Sequence, residues 1–500
     1  MDNDYKNYLK TTAKQSSFTF LIRIVAYVLS FILQALFARY LGSQDYGLYA
    51  LGFNITNIGI IFTTFGMPAS MQRFLGEYLG KKETKKAQSI INAGFIIVTL
   101  TSIIAFTVLN INKHFFAINI FKKPELENTF IYFSFILIIM SYLSLFSGIF
   151  MGLKQPAKFN FQKEIVERLL RIAFFIPLFY FGYKLYGAII STIISNIIIL
   201  IILTYQFKKT KLLDFTVKPV FSELSDVLKY SVNMFFVSFT YFLLSQVNIT
   251  ISGMYLESSK VAIYSISSSV AGLSVFFLVS INSIFGTVIS ELYHTNKFET
   301  LKKLYSTVIR IVITSTIPLT LWMVLYSKEI LSFFGKDYME GYLVLSFLAI
   351  GQFVNAIVGP NGLMLSMTKH QKLELINGIL IAALNISLNI FLIPKYGIVG
   401  SAIGGTVAIA SINILKSVEV YIFLKIQPYD KKIIKPIISG IILIFVLLLI
   451  KNVIHSYNIL FIVLMLIISY MIYLIIMRIL KWNKEDLELF NALLSKIRKK

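Results

Sequence analysis

Arg23 is followed by Tyr27, Ser30 and Gln34 at spacings of four, three and four, so a cation, a phenol, a hydroxyl and an amide share one helical face. Lys163, Glu164, Glu167, Arg168 and Arg171 open another segment, with Glu164/Arg168 and Glu167/Arg171 both at i,i+4. Tyr241, Ser245, Asn248 and Ser252 repeat the one-face pattern, Asn54/Asn57 and Gln352/Asn355 add amides, and Lys416/Glu419 adds an i,i+3 pair. Guanidinium forks grip phosphate with two hydrogen bonds at once, and amides and hydroxyls suit sugars. The chemistry these residues could do is therefore to hold an anionic, hydroxyl-bearing molecule. Each set also has a plainer reading. Arg23 can snorkel to the membrane surface, the i,i+4 pairs can neutralise an interfacial turn, and the amides can bond neighbouring helices.

The elements that carry these residues must be membrane helices. The 500-residue chain is 57% hydrophobic, 15% aromatic and only 14% charged, with a mean hydropathy of +0.76, far from the roughly 25% charged residues of an ordinary soluble domain. That excludes a soluble enzyme. Residues 46–72, 87–112, 230–256 and 261–290 hold no Asp, Glu, Lys or Arg, and about 20 apolar residues suffice to cross a bilayer. A basic side chain at the centre of such a span costs ~2.5 to 3.5 kcal/mol even on a lenient insertion scale. Arg23 is thus expected to face a cavity.

Charge clusters and Gly/Pro turns divide the chain into about fourteen helices, at residues 15–38, 47–72, 87–111, 128–152, 163–182, 186–206, 230–254, 260–289, 306–326, 341–366, 374–393, 398–424, 436–452 and 457–478. The fold class is all-α and polytopic. With both termini in the cytoplasm, the inner loops and tails carry about 32 Lys/Arg and the outer loops about 10. Most of the net charge of +23 then serves to orient the chain and to meet anionic headgroups, and nucleic acid is not an expected partner. The polar first 15 residues read as no signal peptide. The longest outer loops are residues 112–127 and 327–340, too short for an extracytoplasmic catalytic domain. In the tail, Leu487, Phe490, Leu493, Leu494 and Ile497 fall at helical spacing, as in an amphipathic helix on the inner surface.

Absences narrow the chemistry further. There is no cysteine, hence no disulfide, thiolate metal site or cysteine nucleophile. His114, His294, His370 and His455 fall in loops or near helix ends without clustering, and no Gly-x-x-x-x-Gly-Lys-Ser/Thr run offers ATP binding. No metal or cofactor is expected. No Asp or Glu lies near the middle of a span, where a coupling carboxylate would be sought.

An internal repeat organises the spans. Tyr40-Leu41-Gly42-Ser43 with Tyr49 returns as Tyr255-Leu256-Glu257-Ser258 with Tyr264; Glu77 returns as Glu291, Gly148 with Lys158 as Gly362 with Lys372, and Tyr183 with Gly187 as Tyr396 with Gly400. All four matches lie at a shift of about 214 residues, which aligns helices one to six with seven to twelve. The expected organisation is a six-helix lobe (1–206), a cytoplasmic linker (207–229), a second six-helix lobe (230–424), two extra spans (425–478) and the tail (479–500). Parallel repeats of this kind are a transporter design, with two bundles rocking about a central site.

The run Phe37-Ala38-Arg39-Tyr40-Leu41-Gly42-Ser43-Gln44-Asp45-Tyr46-Gly47-Leu48-Tyr49 resembles the first outer turn of the polysaccharide repeat-unit flippases, in the multidrug/oligosaccharidyl-lipid/polysaccharide exporter superfamily. Gly66 with Arg73, residues 284–303, Gly359-Pro360-Asn361-Gly362 leading to Lys369-His370-Gln371-Lys372, and the run from Ile393 to Gly400 are similar to that family's later motifs. The resemblance covers nearly the whole chain. It departs at Gly286-Thr287, where relatives often carry a proline. It implies a flippase that moves polyprenyl-(pyro)phosphate-linked oligosaccharide from the inner to the outer leaflet of the cytoplasmic membrane, working as a monomer with membrane lipids and polysaccharide synthesis proteins around it. It also implies phosphate contact by Arg23. The substrate-binding set expected from residues and resemblance together is Arg23, Tyr27, Gln34, Asn54, Asn57, Arg168, Arg171, Asn248, Gln352 and Asn355. A multidrug or cation exporter of the same superfamily would favour an acidic cavity, a twelve-helix sugar permease a different second loop, and a membrane-embedded glycan polymerase a large outer loop.

Overall fold

In hydrocarbon every backbone N–H and C=O must be satisfied within the segment, so apolar runs of this length can only be helices. The computed structural model describes residues 3–210, 212, 221–368, 370–454 and 458–482. Side chains are described from residue 25 onward, apart from 221–223, 244–245, 283–284, 287, 371 and 459. Among the described residues there is no strand. The expected amphipathic tail helix and part of the expected linker, residues 211 and 213–220, lie outside them.

Ten described helices are long and apolar enough to cross a membrane, or eleven with the bent pair Leu224–Leu243 and Val247–Tyr255 counted as one. The number is lower than the fourteen expected, for identifiable reasons. Asn3–Thr64 runs through Gly42 at φ 76°, ψ 173°, and Gln371–Leu424 runs through Gly397 at φ 57°, ψ −138°. Each is thus two helices joined by one residue in a region that glycine adopts without strain. The expected fifth span is helical from Pro156 to Tyr180, but its charged opening interrupts the apolar run.

Val25–Ala262 forms one compact unit, and the described residues before Val25 and from Ile263 onward form another. The core of the first lies where Met67, Met71, Phe74 and Leu75 meet Ile90, Ile91, Leu145, Phe146, Ile149, Leu203 and Phe207. Phe65 (φ 46°) and Gly66 (φ 73°) break the second helix, which resumes at Met67 with Pro68 in its first turn. Opposite that break, Ser70 and Ser231 share a 2.6 Å hydrogen bond. Ahead of Pro124, Lys123 is covered, and its Nζ donates to the carbonyls of Phe121 (3.0 Å), Gly253 (2.6 Å) and Leu256 (2.8 Å). Burial pushes this ammonium down to about 8, against the pull of Glu125 and Glu257.

In the second unit the last two spans, Ile434–Val453 and Ile459–Ile479, pack on Phe298–Leu325. Trp322 Nε1 donates to the carbonyl of Ile462 (3.0 Å), the Tyr470 hydroxyl to that of Ser315 (2.7 Å) and the Tyr326 hydroxyl to that of Leu447 (3.4 Å). Arg310, 1% exposed, donates to Asp430 at 2.7 Å. The last two spans are thus fastened along one helix.

Gly187 and Gly400, paired in the expected repeat, both sit at close approaches between helices. A Cβ on Gly187 would lie 3.3 Å from the Leu178 Cβ, and one on Gly400 only 2.2 Å from the Leu392 carbonyl oxygen. Both glycines let the helix after a turn close against the one before it. Large apolar side chains such as Ile104, Ile111, Leu449 and Val453 stand exposed, as a lipid-facing surface requires.

Candidate functional site: a buried cation cluster on the fifth helix

The helix carrying the cluster starts at Pro156, whose fixed φ suits a first turn, and passes through a π-helical stretch, Phe161–Val166, into Glu167–Tyr180. Such widened turns are rare and cluster at functional positions. Here the stretch carries Lys163 and Glu164 and feeds directly into the buried Glu167 and Arg171.

Glu167 is only 3% exposed and ion-pairs with Arg171. Its Oε1 also accepts from Ser195 Oγ (3.3 Å) and Asn196 Nδ2 (3.2 Å) on the helix Lys184–Lys208. Arg171 Nη1 donates to the Tyr49 hydroxyl at 3.3 Å, which in turn shares a 3.0 Å bond with Thr192. Lys163 Nζ donates to Asn196 Oδ1 at 2.5 Å, and Arg168 Nη1 donates to the Glu164 carbonyl. Arg171 Nε is buried without a partner. A buried carboxylate is tolerable only when paired and hydrogen-bonded, and Glu167 has both. The cluster as a whole holds Lys163, Arg168 and Arg171 against Glu164 and Glu167, an excess of positive charge in a setting of amides and hydroxyls.

Of the residues singled out from sequence, Arg168 and Arg171 lie in this cluster. The i,i+4 reading gives the Glu167–Arg171 pair, whereas Arg168 turns to the backbone of Glu164. Tyr27 lies within electrostatic reach of Arg168, and Gln34 Nε2 donates to Ser30 at 3.2 Å, as expected for one face. Arg23 lies in the helix, but its side chain is outside those described. Tyr49, Thr192, Ser195 and Asn196 were missed. The signal was the run Ser191-Thr192-Ile193-Ile194-Ser195-Asn196, a polar stripe in an otherwise apolar helix.

The amides divide. Asn54 Nδ2 donates to Gln246 Oε1 (3.0 Å) and to the Gln246 carbonyl (3.3 Å), while its Oδ1 accepts from Thr250 (2.6 Å). Asn57 is half-buried. Asn248 is buried and Tyr241 exposed; the helix between them breaks at Gln246, so the one-face pattern from Tyr241 to Ser252 does not persist. In the other unit Gln352 accepts from Asn355 at 3.4 Å, and Asn413 donates to Asn355 at 3.2 Å. The Lys416/Glu419 pair is not formed. Lys416 reaches Glu374 at 2.6 Å and Glu419 accepts from Asn377 at 2.5 Å, both across helices. Asn361 joins Tyr305 and Ser417, a bridge not foreseen. Among the described residues no group of His, Cys, Asp and Glu could hold a metal ion.

Fold and cluster together define a multi-pass helical membrane protein with a cationic polar centre inside one bundle. The family profile described as "Polysaccharide biosynthesis protein" matches residues 12–290, more than half of the chain, which belongs to that family. A second profile, MatE, matches residues 234–391. Over 167 residues the chain is 23% identical to the lipid II flippase MurJ of Bacillus subtilis (strain 168), a match covering 31% of this chain and 30% of that protein. Two solved structures share the fold. The lipid II flippase MurJ in an inward closed conformation gives a TM-score of 0.74 at 19% identity, covering 93% of this chain and 99% of that one. An inward-facing multidrug resistance MATE family transporter of the MOP superfamily gives 0.69 at 16%, covering 80% and 94%.

Proposed function

We propose that the protein is a flippase carrying polyprenyl-(pyro)phosphate-linked oligosaccharide from the inner to the outer leaflet of the cytoplasmic membrane. The observation that carries this reading is the excess of cations at Lys163, Arg168 and Arg171, surrounded by Tyr49, Thr192, Ser195 and Asn196. Glu167 neutralises Arg171 and leaves Arg168 and Lys163 to meet phosphate, while the hydroxyls and amides suit sugars. Family membership supports a role in polysaccharide synthesis, and the relatives that share sequence or fold are flippases and transporters. Arg23, Tyr27 and Gln34 belong to the same proposed path, as do Asn57 and Asn248; Gln352 and Asn355 are its counterparts in the second repeat.

Both termini lie in the cytoplasm in this reading, and no covalent bond of the cargo changes. A cargo with about two negative charges moving outward gains ~2.3 kcal/mol per charge per 100 mV of inside-negative potential, so voltage contributes to the drive. The match to MatE favours a second reading, a multidrug exporter, which differs in cargo. The test is purified protein in vesicles with a fluorescent lipid-linked oligosaccharide. An inside-negative potential should speed inner-to-outer movement, and Arg23→Ala and Arg168→Gln should each slow it. Wild-type rates in both variants, or export of organic cations alone, would overturn the flippase reading.

A further inference from the structure

A cavity of about 930 Å3 opens at one end of the first unit, between the turn around Leu153, the start of the helix from Pro156 and the end of the helix Lys184–Lys208. Gln155, Lys158, Gln162, Gln206 and Lys209 line it, with Leu79, Leu153 and Phe161 as apolar walls. Among the described residues no carboxylate lines it. Gln206 Oε1 is buried and makes no hydrogen bond, and an unmet buried amide group in a native structure calls for an explanation. Lys158 and Lys209 are both exposed, and Lys209 sits 4.5 Å over the Tyr205 ring. None of the residues lining it belongs to the Glu167 cluster.

We propose that this cavity binds the headgroup of an anionic membrane phospholipid. The two lysines supply the attraction for phosphate, three glutamine amides supply donors and acceptors for glycerol hydroxyls, and the leucines and Phe161 meet the first acyl carbons. Basic pockets between membrane helices recognise lipid headgroups on these terms. The charge-rich loops nearby put the site on the inner leaflet if the proposed topology holds; the binding itself does not depend on that topology or on transport.

The full chain, reconstituted in phosphatidylcholine vesicles with a trace of photoactivatable phosphatidylglycerol, should be labelled within residues 153–162 and 206–212. Unlabelled phosphatidylglycerol should compete, and phosphatidylcholine and inorganic phosphate should not. Lys158→Gln with Lys209→Gln, both at exposed side chains, should lower labelling about tenfold or more. Gln206→Leu should lower it independently, with elution as a single monodisperse species showing that each variant is folded. Competition by phosphatidylcholine as strong as by phosphatidylglycerol, or unchanged labelling in folded variants, would overturn the site. Competition by inorganic phosphate would reassign it to a free anion, and preferential labelling by a lipid-linked oligosaccharide would reassign it to the cargo; either result overturns the proposal.

Discussion

Asn54 clamps Gln246 by two hydrogen bonds, one to the side-chain oxygen at 3.0 Å and one to the backbone carbonyl at 3.3 Å. Gln246 is the residue at which the helix Phe221–Ser245 ends and Val247–Tyr255 begins. The interruption frees backbone groups that lipid cannot satisfy, and Asn54 supplies the missing partner while also accepting from Thr250. An amide that looked free to bind cargo is thus committed to holding a broken helix.

Asn54→Ala should therefore lower the stability of the detergent-purified protein by about 0.6 to 2 kcal/mol, the range for interhelical hydrogen bonds in membranes. Thermal unfolding followed by loss of monodispersity reads this out. Undiminished stability with lost cargo binding would make Asn54 a ligand after all.

Glu167→Gln leaves the Arg171 guanidinium buried and uncompensated, which costs about 3 to 5 kcal/mol in comparable pairs. Replacing both, Glu167→Gln with Arg171→Met, should recover much of that stability, because the unpaired charge goes with its partner. Denaturation of the two variants side by side checks the order. A double variant no better than the single would mean that Arg171 is stabilised by Tyr49 alone.

Lys123 carries a pH signature. Burial lowers its folded value to about 8 from an ordinary 10.5, so between those values the unfolded chain binds more protons than the folded one. Stability contributed at this site then rises as pH increases from about 8 to 10.5 and is flat below that window. Melting curves of wild type minus those of Lys123→Met should show the rise; parallel curves across the window would argue that the lysine is charged and fully solvated.

Topology can be read with single cysteines, since the chain has none. Asn119 and Lys336 are exposed in the expected outer loops, and Lys82 and Lys209 in the expected inner ones. Cysteines at the first two should react with an impermeant thiol reagent from outside intact cells, and those at the second two should not. Ser43 and Ser258 face outward in the same scheme, but both are buried and would report packing rather than sidedness. Reversed labelling would invert the proposed direction of transport.

Much of the fold was legible because burial in lipid leaves so few choices. Charge-free runs had to be helices, and Gly/Pro turns such as those at Gly42 and Gly397 marked their boundaries. The site was harder to read. Helical spacing identified the Glu167–Arg171 pair, because i,i+4 geometry is local, but it offered Glu419 to Lys416 when the structure gives it Glu374, since cross-helix partners depend on packing that spacing does not contain. Asn54 and Thr192 show the same limit. An amide in a span reads alike whether it waits for a ligand or supports a neighbouring break.

Arg310 and Asp430 lie 120 residues apart in the chain, which sets an order on biogenesis. At synthesis rates of about 5 to 20 residues per second, the arginine emerges roughly 6 to 24 seconds before the carboxylate that pairs with it. During that interval the partly made bundle holds a cation with Thr307 as its side-chain companion, at 3.1 Å, and three later spans must enter the membrane first. A chain halted before Asp430 therefore lacks the carboxylate that Arg310 meets in the finished bundle.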